Sequence, residues 1–236
     1  MILALDTATI VSSIALVQKD RLVAEITINT NKHHSELLMP HIADIFRLAK
    51  VDKKNLTGVA VSIGPGSFTG LRIGLATAKT LAYALSIPIV GVPTLEALAF
   101  GCLAPNAVIS PLLDAQKGNV YQGLYHWQQG ELTALKPPQV VPFDTALAQL
   151  IDAGRPAIVL GDAAVMYADK INSIESNVIL APPQMVLPRA ANVAILGQRL
   201  LAQGRRDDVL TLEPYYIRRS EAEELWERRQ ARCDRL

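Results

Sequence analysis

Residues 59–85, VAVSIGPGSFTGLRIGLATAKTLAYAL, constrain the fold more than any other stretch of this chain. The short apolar run Val59–Val61 predicts a buried strand, and a helical pattern begins directly after the glycine-rich segment Gly64–Gly70. Glycine allows positive φ and close approach of the backbone, and either Ser67 or Thr69 is suited to cap the helix. Because apolar residues occupy adjacent faces of this helix, we expect it to be buried on more than one side.

The spacing of the glycines departs from the common phosphate-binding motifs. A P-loop needs a lysine after its second conserved glycine, and no lysine follows the glycines here. Gly64, Gly66 and Gly70 are one residue too widely spread for a dinucleotide fingerprint, and Ser67 lacks the flanking glycines of a nucleophile elbow. We interpret the segment as a tight strand-to-helix turn, with direct binding of a phosphate as the alternative.

The predicted elements occur in an order that is repeated along the chain. The first half predicts strands over 2–7, 12–18 and 21–29, a helix over 35–49, a strand at Val59, the long helix, a strand over 87–92 and a helix from Thr94. The second half predicts strands over 107–115, 120–127 and 131–141, a helix over 143–153, a strand over 157–160, and helices near 163–171 and 190–203. This order predicts an α/β fold of duplicated βββαβαβα lobes, the architecture of the actin-like ATPase superfamily that includes sugar kinases, Hsp70 and actin.

We divide the chain into an N-terminal lobe over 1–104, a C-terminal lobe over 105–218 and a tail over 219–236. A chain of 236 residues is long enough to give each lobe a substantial core. The tail is a charged helical segment whose main apolar side chains are Leu225 and Trp226. We expect it to lie on the body of the protein.

Composition and the N-terminal sequence predict a soluble cytoplasmic protein. A net charge of +1 gives no whole-chain signature of nucleic-acid binding. The two cysteines, Cys102 and Cys233, are too few for a disulfide framework, which favours a reducing compartment. The chain begins without a basic, apolar leader, and its uncharged stretches are too short to cross a membrane.

Two aspartates are the first candidates for chemistry, because each ends the first strand of one half. Asp6 and Asp114 are suited to hold a Mg²⁺–phosphate group or to orient a water, and the alternative is that each only caps the amides of its turn. An active member of this superfamily is expected to carry a Gly-Gly adenosine loop in the second lobe. This chain offers only Gly161 at that place.

The histidines do not predict a metal site. On a helix, His34 and His41 lie two turns apart, about 10 Å along the axis. One metal ion cannot bridge that distance with bonds of about 2 Å. We therefore do not expect a metallopeptidase.

Taken together, these motifs resemble one family, the bacterial TsaB (YeaZ) proteins. The matching segments are MILALDTA at the start, HSELLMP over 34–40, IGPGSFTGLRIG over 63–74, Leu113-Asp114-Ala115 with Val120-Tyr121, and PYYIR over 214–218. The resemblance covers roughly residues 1–218. One departure is Gln116-Lys117, where a basic residue directly after the Asp-Ala pair is expected.

The resemblance implies a subunit without catalysis of its own. Such a subunit binds and supports the larger paralogue TsaD, together with the ATPase TsaE, in transferring a threonylcarbamoyl group to A37 of tRNA. It implies no cofactor, with ATP or ADP at the interface with TsaD left open, a homodimer when TsaD is absent, and contact with tRNA only through the complex. Asp6, Asp114 and Gly161 would then be a vestigial nucleotide site. A free-standing ATP-using enzyme of the same fold is the alternative.

The resemblance also implies that the first two long helices pair with the same helices of TsaD or of a second copy. We expect the contact to be made by a set of apolar and small residues on these helices: Leu38, Ile42, Ile45, Gly70, Leu71, Gly74, Leu75, Ala78 and Leu81. Replacing Gly74 by a bulky charged residue is expected to abolish pairing and leave folding intact.

Overall fold

The computed structural model describes residues 1–29 and 34–218. Its strands are β1 (Ile2–Asp6), β2 (Val11–Gln18), β3 (Arg21–Asn29), β4 (Gly58–Gly64), β5 (Ile89–Pro93), β6 (Val108–Asp114), β7 (Asn119–Gln128), β8 (Glu131–Pro142), β9 (Ala157–Leu160) and β10 (Val178–Leu180). Its helices are α1 (His34–Ala49), α2 (Phe68–Leu85), α3 (Thr94–Phe100), α4 (Phe143–Asp152), α5 (Asp162–Met166), α6 (Ala168–Asn172) and α7 (Ala190–Ala202).

The strands form two sheets with the same topology. The first sheet has the order β3-β2-β1-β4-β5, and the second has the order β8-β7-β6-β9-β10. In each sheet the first three strands are an antiparallel meander, and the last two are added in parallel by crossover connections. The predicted duplication of a βββαβαβα lobe is therefore confirmed.

The first sheet is covered on both faces, which explains why β1 and β4 are apolar at nearly every position. One face packs against α1 and α2 through Leu3, Leu5 and Val61. The other face packs against α7 through Ala4 and Ala60. Both faces therefore exclude water, and the centre of the N-terminal lobe lies at β1 and β4.

Helices α3 and α7 do not stay within the lobe that their place in sequence suggests: α7 packs on the first sheet, and α3 lies between both sheets. Helix α3 contributes Leu95 and Leu98 to the apolar core of the second sheet. Helix α7 packs along β1, β2 and β4 of the first sheet. The predicted boundary near residue 104 remains a prediction, but a helix from each side of it packs against the sheet of the other lobe.

The start of α7 is held by polar groups of the first sheet. The backbone amide of Ala190 donates to Ser13 Oγ at 2.9 Å, and the amide of Ala191 donates to Glu25 Oε1 at 3.1 Å. Arg189 forms an ion pair with the same Glu25 carboxylate, whose side chain is nearly buried. A carboxylate at a helix N-terminus is favourable because it meets free amides and the positive end of the dipole.

The sequence-based prediction missed one strand and misjudged one helix. The edge strand β10 has only three residues, so it carries no readable alternation. The helix expected near 163–171 is two short helices, α5 and α6, which meet at Tyr167. The predicted tail, 219–236, lies outside the described residues. In the described part of the chain, no helix is long and apolar enough to cross a membrane.

Candidate functional site

A cleft of about 530 Å³ lies between the two lobes. The first lobe lines it with the turn after β1, represented by Ala8 and Thr9, and with the start of α2. The second lobe lines it with the ends of β6 and β9. The carboxyl ends of the central parallel strands of both sheets therefore face this cleft, where ligands of open α/β sheets commonly bind.

The wall from the first lobe is a close contact between the glycine-rich segment and the turn after β1. A Cβ at Gly66 would lie 2.3 Å from the carbonyl oxygen of Ala8, and one at Gly70 would lie 2.1 Å from that of Thr7. A Cβ at Gly74, one turn further, would lie 2.2 Å from Thr7 Oγ1. Backbone atoms therefore exclude a side chain at Gly66 and Gly70, and the Thr7 side chain opposes one at Gly74. The contacts at Gly66 and Gly70 support our interpretation of the segment as a tight turn.

Further hydrogen bonds hold this turn together. The amide of Ser67 donates to the carbonyl oxygen of Ala8 at 2.6 Å, and Ser67 Oγ accepts from the amide of Gly70 at 3.2 Å, so Ser67 is the N-cap of α2. Thr7 Oγ1 donates to the carbonyl oxygen of Gly70 at 2.8 Å. Two of the amides at the start of α2 are thereby occupied within the chain.

The wall from the second lobe carries two carboxylates. Asp114, at the end of β6, accepts a hydrogen bond from the amide of Gln116 at 2.8 Å. Asp162, directly after β9, accepts from the amides of Asp114 at 3.0 Å and Ala163 at 2.8 Å. Burial raises the pKa of Asp162, against the opposing effect of these amides. Asp114 and Asp162 both line the cleft, so the second lobe contributes two carboxylates to it.

Gly161 positions Asp162 and does not itself line the cleft. Its φ of 104° is a conformation that side chains rarely adopt, and a Cβ there would lie 2.2 Å from the carbonyl oxygen of Leu112. Sequence reasoning selected Gly161 and passed over Asp162. The signal was available, because Asp162 follows a strand that is parallel to the strand ending in Asp114.

Asp6 is separated from the other two carboxylates. It is 1% exposed, and it is not among the residues that line the cleft. Its Oδ1 accepts from the amide of Ala8 at 3.0 Å, as expected for a carboxylate that caps its own turn. Burial raises the pKa of Asp6 to about 6, against the effect of this hydrogen bond. The structure therefore does not bring Asp6 and Asp114 to one surface.

Residues 207–218, which we call the C-terminal strap, run from the far edge of the first sheet to the cleft. The amide of Asp207 donates to the carbonyl oxygen of Ile89, and the amide of Tyr215 donates to that of Ile63. Lys79 Nζ of α2 donates to the carbonyl oxygens of Leu210 at 3.0 Å and Leu212 at 3.1 Å. The strap is thus bound to both β5 and α2.

The strap ends in an aromatic contact at the mouth of the cleft. Tyr216 stacks on Phe68 with ring centroids 4.7 Å apart, and the Arg72 guanidinium lies 3.8 Å from the centroid of the Phe68 ring. Arg72 Nε also donates to the Tyr216 hydroxyl at 3.1 Å. Two residues on, Arg218 donates to the carbonyl oxygen of Ala115 in the second lobe, so the strap links both walls.

The expected partner-binding residues require correction. All of the predicted set except the half-buried Leu81 are buried within this chain: Leu38, Ile42, Ile45, Gly70, Leu71, Gly74, Leu75 and Ala78. Five of them pack in the core of the first sheet: Leu38, Ile42, Ile45, Leu75 and Ala78. Gly70 and Gly74 instead lie against Thr7. An apolar stripe shows that a face is buried, but it does not show which element covers that face. We now expect a charged residue at Gly74 to destabilise the fold, because a Cβ there would lie 2.2 Å from Thr7 Oγ1.

Other apolar side chains of the same two helices do reach the surface. Met39 and Leu48 of α1 are 52% and 64% exposed, and Tyr83 of α2 is 71% exposed. Helices α1 and α2 lie side by side on the same face of the first sheet. We call the exposed side of these two helices the α1–α2 surface.

No group of three or more potential metal ligands occurs among the described residues. His34 and His41 both belong to α1. The structure therefore adds no ligand cluster to the spacing argument.

The duplicated topology and the interlobe cleft define this chain as a two-lobe protein with the actin-like ATPase fold. A structure of the ethanolamine utilization protein EutJ from Carboxydothermus hydrogenoformans shares this fold, with a TM-score of 0.50, 13% sequence identity and coverage of 83% of this chain and 89% of that one. The family model described as TsaD, tRNA N6-adenosine threonylcarbamoyltransferase, matches residues 21–226.

The chain belongs to the TsaB (YeaZ) family. It is 35% identical over 226 residues to the tRNA threonylcarbamoyladenosine biosynthesis protein TsaB of Bacillus subtilis, covering 95% of this chain and 97% of that protein. A crystal structure of a Pseudomonas aeruginosa protein, described by its similarity to the peptidase YEAZ, has a TM-score of 0.79 and 27% identity, with 92% of this chain and 99% of that chain covered.

Proposed function

We propose that this protein is a non-catalytic subunit in the biosynthesis of threonylcarbamoyladenosine in tRNA. In this role it binds and supports the TsaD paralogue, with TsaE as a further component, and it forms a homodimer when TsaD is absent. The observation that carries the proposal is the 35% identity to the Bacillus subtilis TsaB protein over nearly the full length of both chains.

The α1–α2 surface is the contact that we propose for TsaD. Met39, Leu48 and Tyr83 expose large apolar side chains on neighbouring helices, and aromatic and methionine side chains are enriched in protein interfaces. The buried residues beneath them hold the helices rigidly in place. The proposed contact uses the same two helices as the sequence prediction, but Met39, Leu48 and Tyr83 replace the predicted contacting side chains.

A binding measurement tests the surface. We expect Tyr83→Glu to weaken binding to immobilised TsaD by about tenfold or more, as for a central interface aromatic. Ile179→Glu is the matched control, because Ile179 is 61% exposed on the edge strand of the other lobe. Equal affinity of the two variants would contradict the proposed surface.

Reconstitution tests the function itself. We would measure threonylcarbamoylation of a tRNA transcript with a TsaC-type synthase, TsaD and TsaE, in the presence and absence of this chain. We expect modification to require the chain. Equal modification without it would refute the proposed role.

A free-standing ATP-using enzyme is the second candidate function. The observation in its favour is the pair Asp114 and Asp162, which line a cleft at the carboxyl ends of parallel strands. ATP hydrolysis by the isolated chain, lost on Asp114→Asn, would support this candidate. Absence of hydrolysis by the chain that restores modification would exclude it.

A further inference from the structure

The end of the N-terminal lobe opposite the cleft is strongly basic. Three segments meet there, 19–21, 50–54 and 205–207, which we call the basic pole. They contain seven basic and three acidic side chains: Lys19, Arg21, Lys50, Lys53, Lys54, Arg205 and Arg206, with Asp20, Asp52 and Asp207. The exposed Asp208 directly follows the third segment, so seven basic side chains face four acidic ones. The whole chain carries a net charge of only +1, so the positive charge is concentrated at this end.

The strand register brings the three segments together. Ile2 at the start of β1 pairs with Val17 and Gly58. The turn between β2 and β3 and the start of β4 therefore lie at the same end of the sheet. The segment 50–54 leads from the end of α1 into β4. The third segment is fixed there because the amide of Asp207 donates to the carbonyl oxygen of Ile89 at 2.9 Å.

Helix ends account for only part of this charge. Lys50 and Arg205 follow the C-termini of α1 and α7, where a cation offsets the negative end of the helix dipole. Lys53 and Lys54 lie instead on a short 3₁₀ turn, and Arg21 begins a strand. Among the ion pairs of the described residues, only Arg205 with Asp207 involves the pole. All seven basic side chains are exposed.

We infer that the basic pole binds the phosphate backbone of RNA. Measured across its strands, the end of a five-stranded sheet is about 20 Å wide. A nucleic-acid duplex carries about one phosphate charge per 1.7 Å of axis. The pole can therefore meet several phosphates at once. This inference rests on the proposed function, since that function makes tRNA the polyanion at hand. It differs from the expectation that tRNA is met only through the complex.

The contact is of the kind that positions an RNA and does not read its sequence. Lysine and arginine side chains on turns reach phosphate oxygens, and such contacts carry no direct sequence information. The binding should therefore depend on salt and not on which tRNA is offered. The pole and the cleft lie at opposite ends of β1 and β4, so RNA bound at the pole leaves the cleft open.

Fluorescence anisotropy of a labelled, unmodified tRNA transcript with the full chain tests the inference. We expect Lys53→Glu combined with Lys54→Glu to weaken binding about tenfold at low salt, and to reduce the slope of log K against log salt by about one to two. Lys136→Glu combined with Arg155→Glu is the control, with the same charge change at exposed positions of the second lobe. Thermal unfolding would verify that both variants fold.

The inference would be overturned by equal loss of binding in the pole and control variants, or by the absence of tRNA binding by the unaltered chain. Binding to phosphatidylserine-containing vesicles without binding to tRNA would also overturn it, in favour of a membrane surface. The modification assay separates this result from the proposed function. If the chain is still required for modification, only the basic pole inference has failed.

Discussion

The contact between Thr7 and the helix α2 allows two opposite expectations to be tested against each other. Gly70 and Gly74 are in α2, where intrinsic propensity alone makes Gly→Ala stabilising by about 1 kcal/mol. The structure predicts instead that Gly→Ala at these two positions destabilises the protein. A Cβ at Gly70 would lie 2.1 Å from the backbone carbonyl oxygen of Thr7, and one at Gly74 would lie 2.2 Å from Thr7 Oγ1.

The two substitutions should differ in whether a second change can rescue them. Overpacking costs about 1–3 kcal/mol, so we expect each single variant to be less stable than the parent despite the gain in propensity. In a Thr7→Ala background the obstacle to Gly74→Ala is gone, and Gly74→Ala should become neutral or stabilising. Gly70→Ala should stay destabilising there, because its obstacle is backbone.

Urea denaturation followed by circular dichroism at 222 nm measures these effects as a double-mutant cycle. We expect a coupling of about 1 kcal/mol or more between positions 7 and 74. Thr69→Ala, at an exposed position at the start of α2, is the control for a change of helix propensity. If Gly70→Ala proved more stable than the parent, the close contact between the turn and the helix would be refuted.

Three further predictions follow from the buried carboxylates, the strap and the cleft. Because the pKa of Asp6 is raised to about 6 in the folded protein, its charge opposes folding above that pH and not below the unfolded value of 3.8. Asp6→Asn should therefore raise the free energy of unfolding at pH 7, by up to about 3 kcal/mol, and leave it little changed at pH 4, as measured by urea denaturation at both pH values. Lys79→Met removes the hydrogen bonds to Leu210 and Leu212, so limited proteolysis should cleave the C-terminal strap faster than in Lys136→Met. Gly161→Ala should lower the melting temperature by several degrees, because φ is positive at this position and the new Cβ would meet the carbonyl oxygen of Leu112. In the control Gly118→Ala only the φ of 78° is unfavourable, so the melting temperature should fall by less.

Much of the architecture was readable because it depends on local periodicity. Alternating and helical patterns predicted the order of elements in both halves, and the repeated order predicted the two lobes. The glycines of segment 64–70 also indicated close approach of the backbone, although they did not identify residues 7–8 as the other side of the contact. The short strand β10 escaped because three residues carry no period.

The candidate sites were less readable, because they depend on which surfaces meet. The sequence marked Asp6 and Asp114 as equivalent, but tertiary packing buries one beneath the cleft and leaves the other in it beside Asp162. It also placed α3 and α7 with their sequence neighbours, whereas α7 packs on the first sheet and α3 contacts both sheets.

The sequence by itself determined the elements, their duplicated order and the faces of α1 and α2 that must leave water. Only the tertiary structure decided that the chain's own fold covers those faces, so a different set of side chains on these helices is exposed. It likewise decided that basic residues more than 150 positions apart, such as Lys53 and Arg206, share one end of the molecule. The physical reason is that hydrophobic burial is non-directional: a pattern specifies that a face is covered, and only long-range strand pairing and packing specify by what.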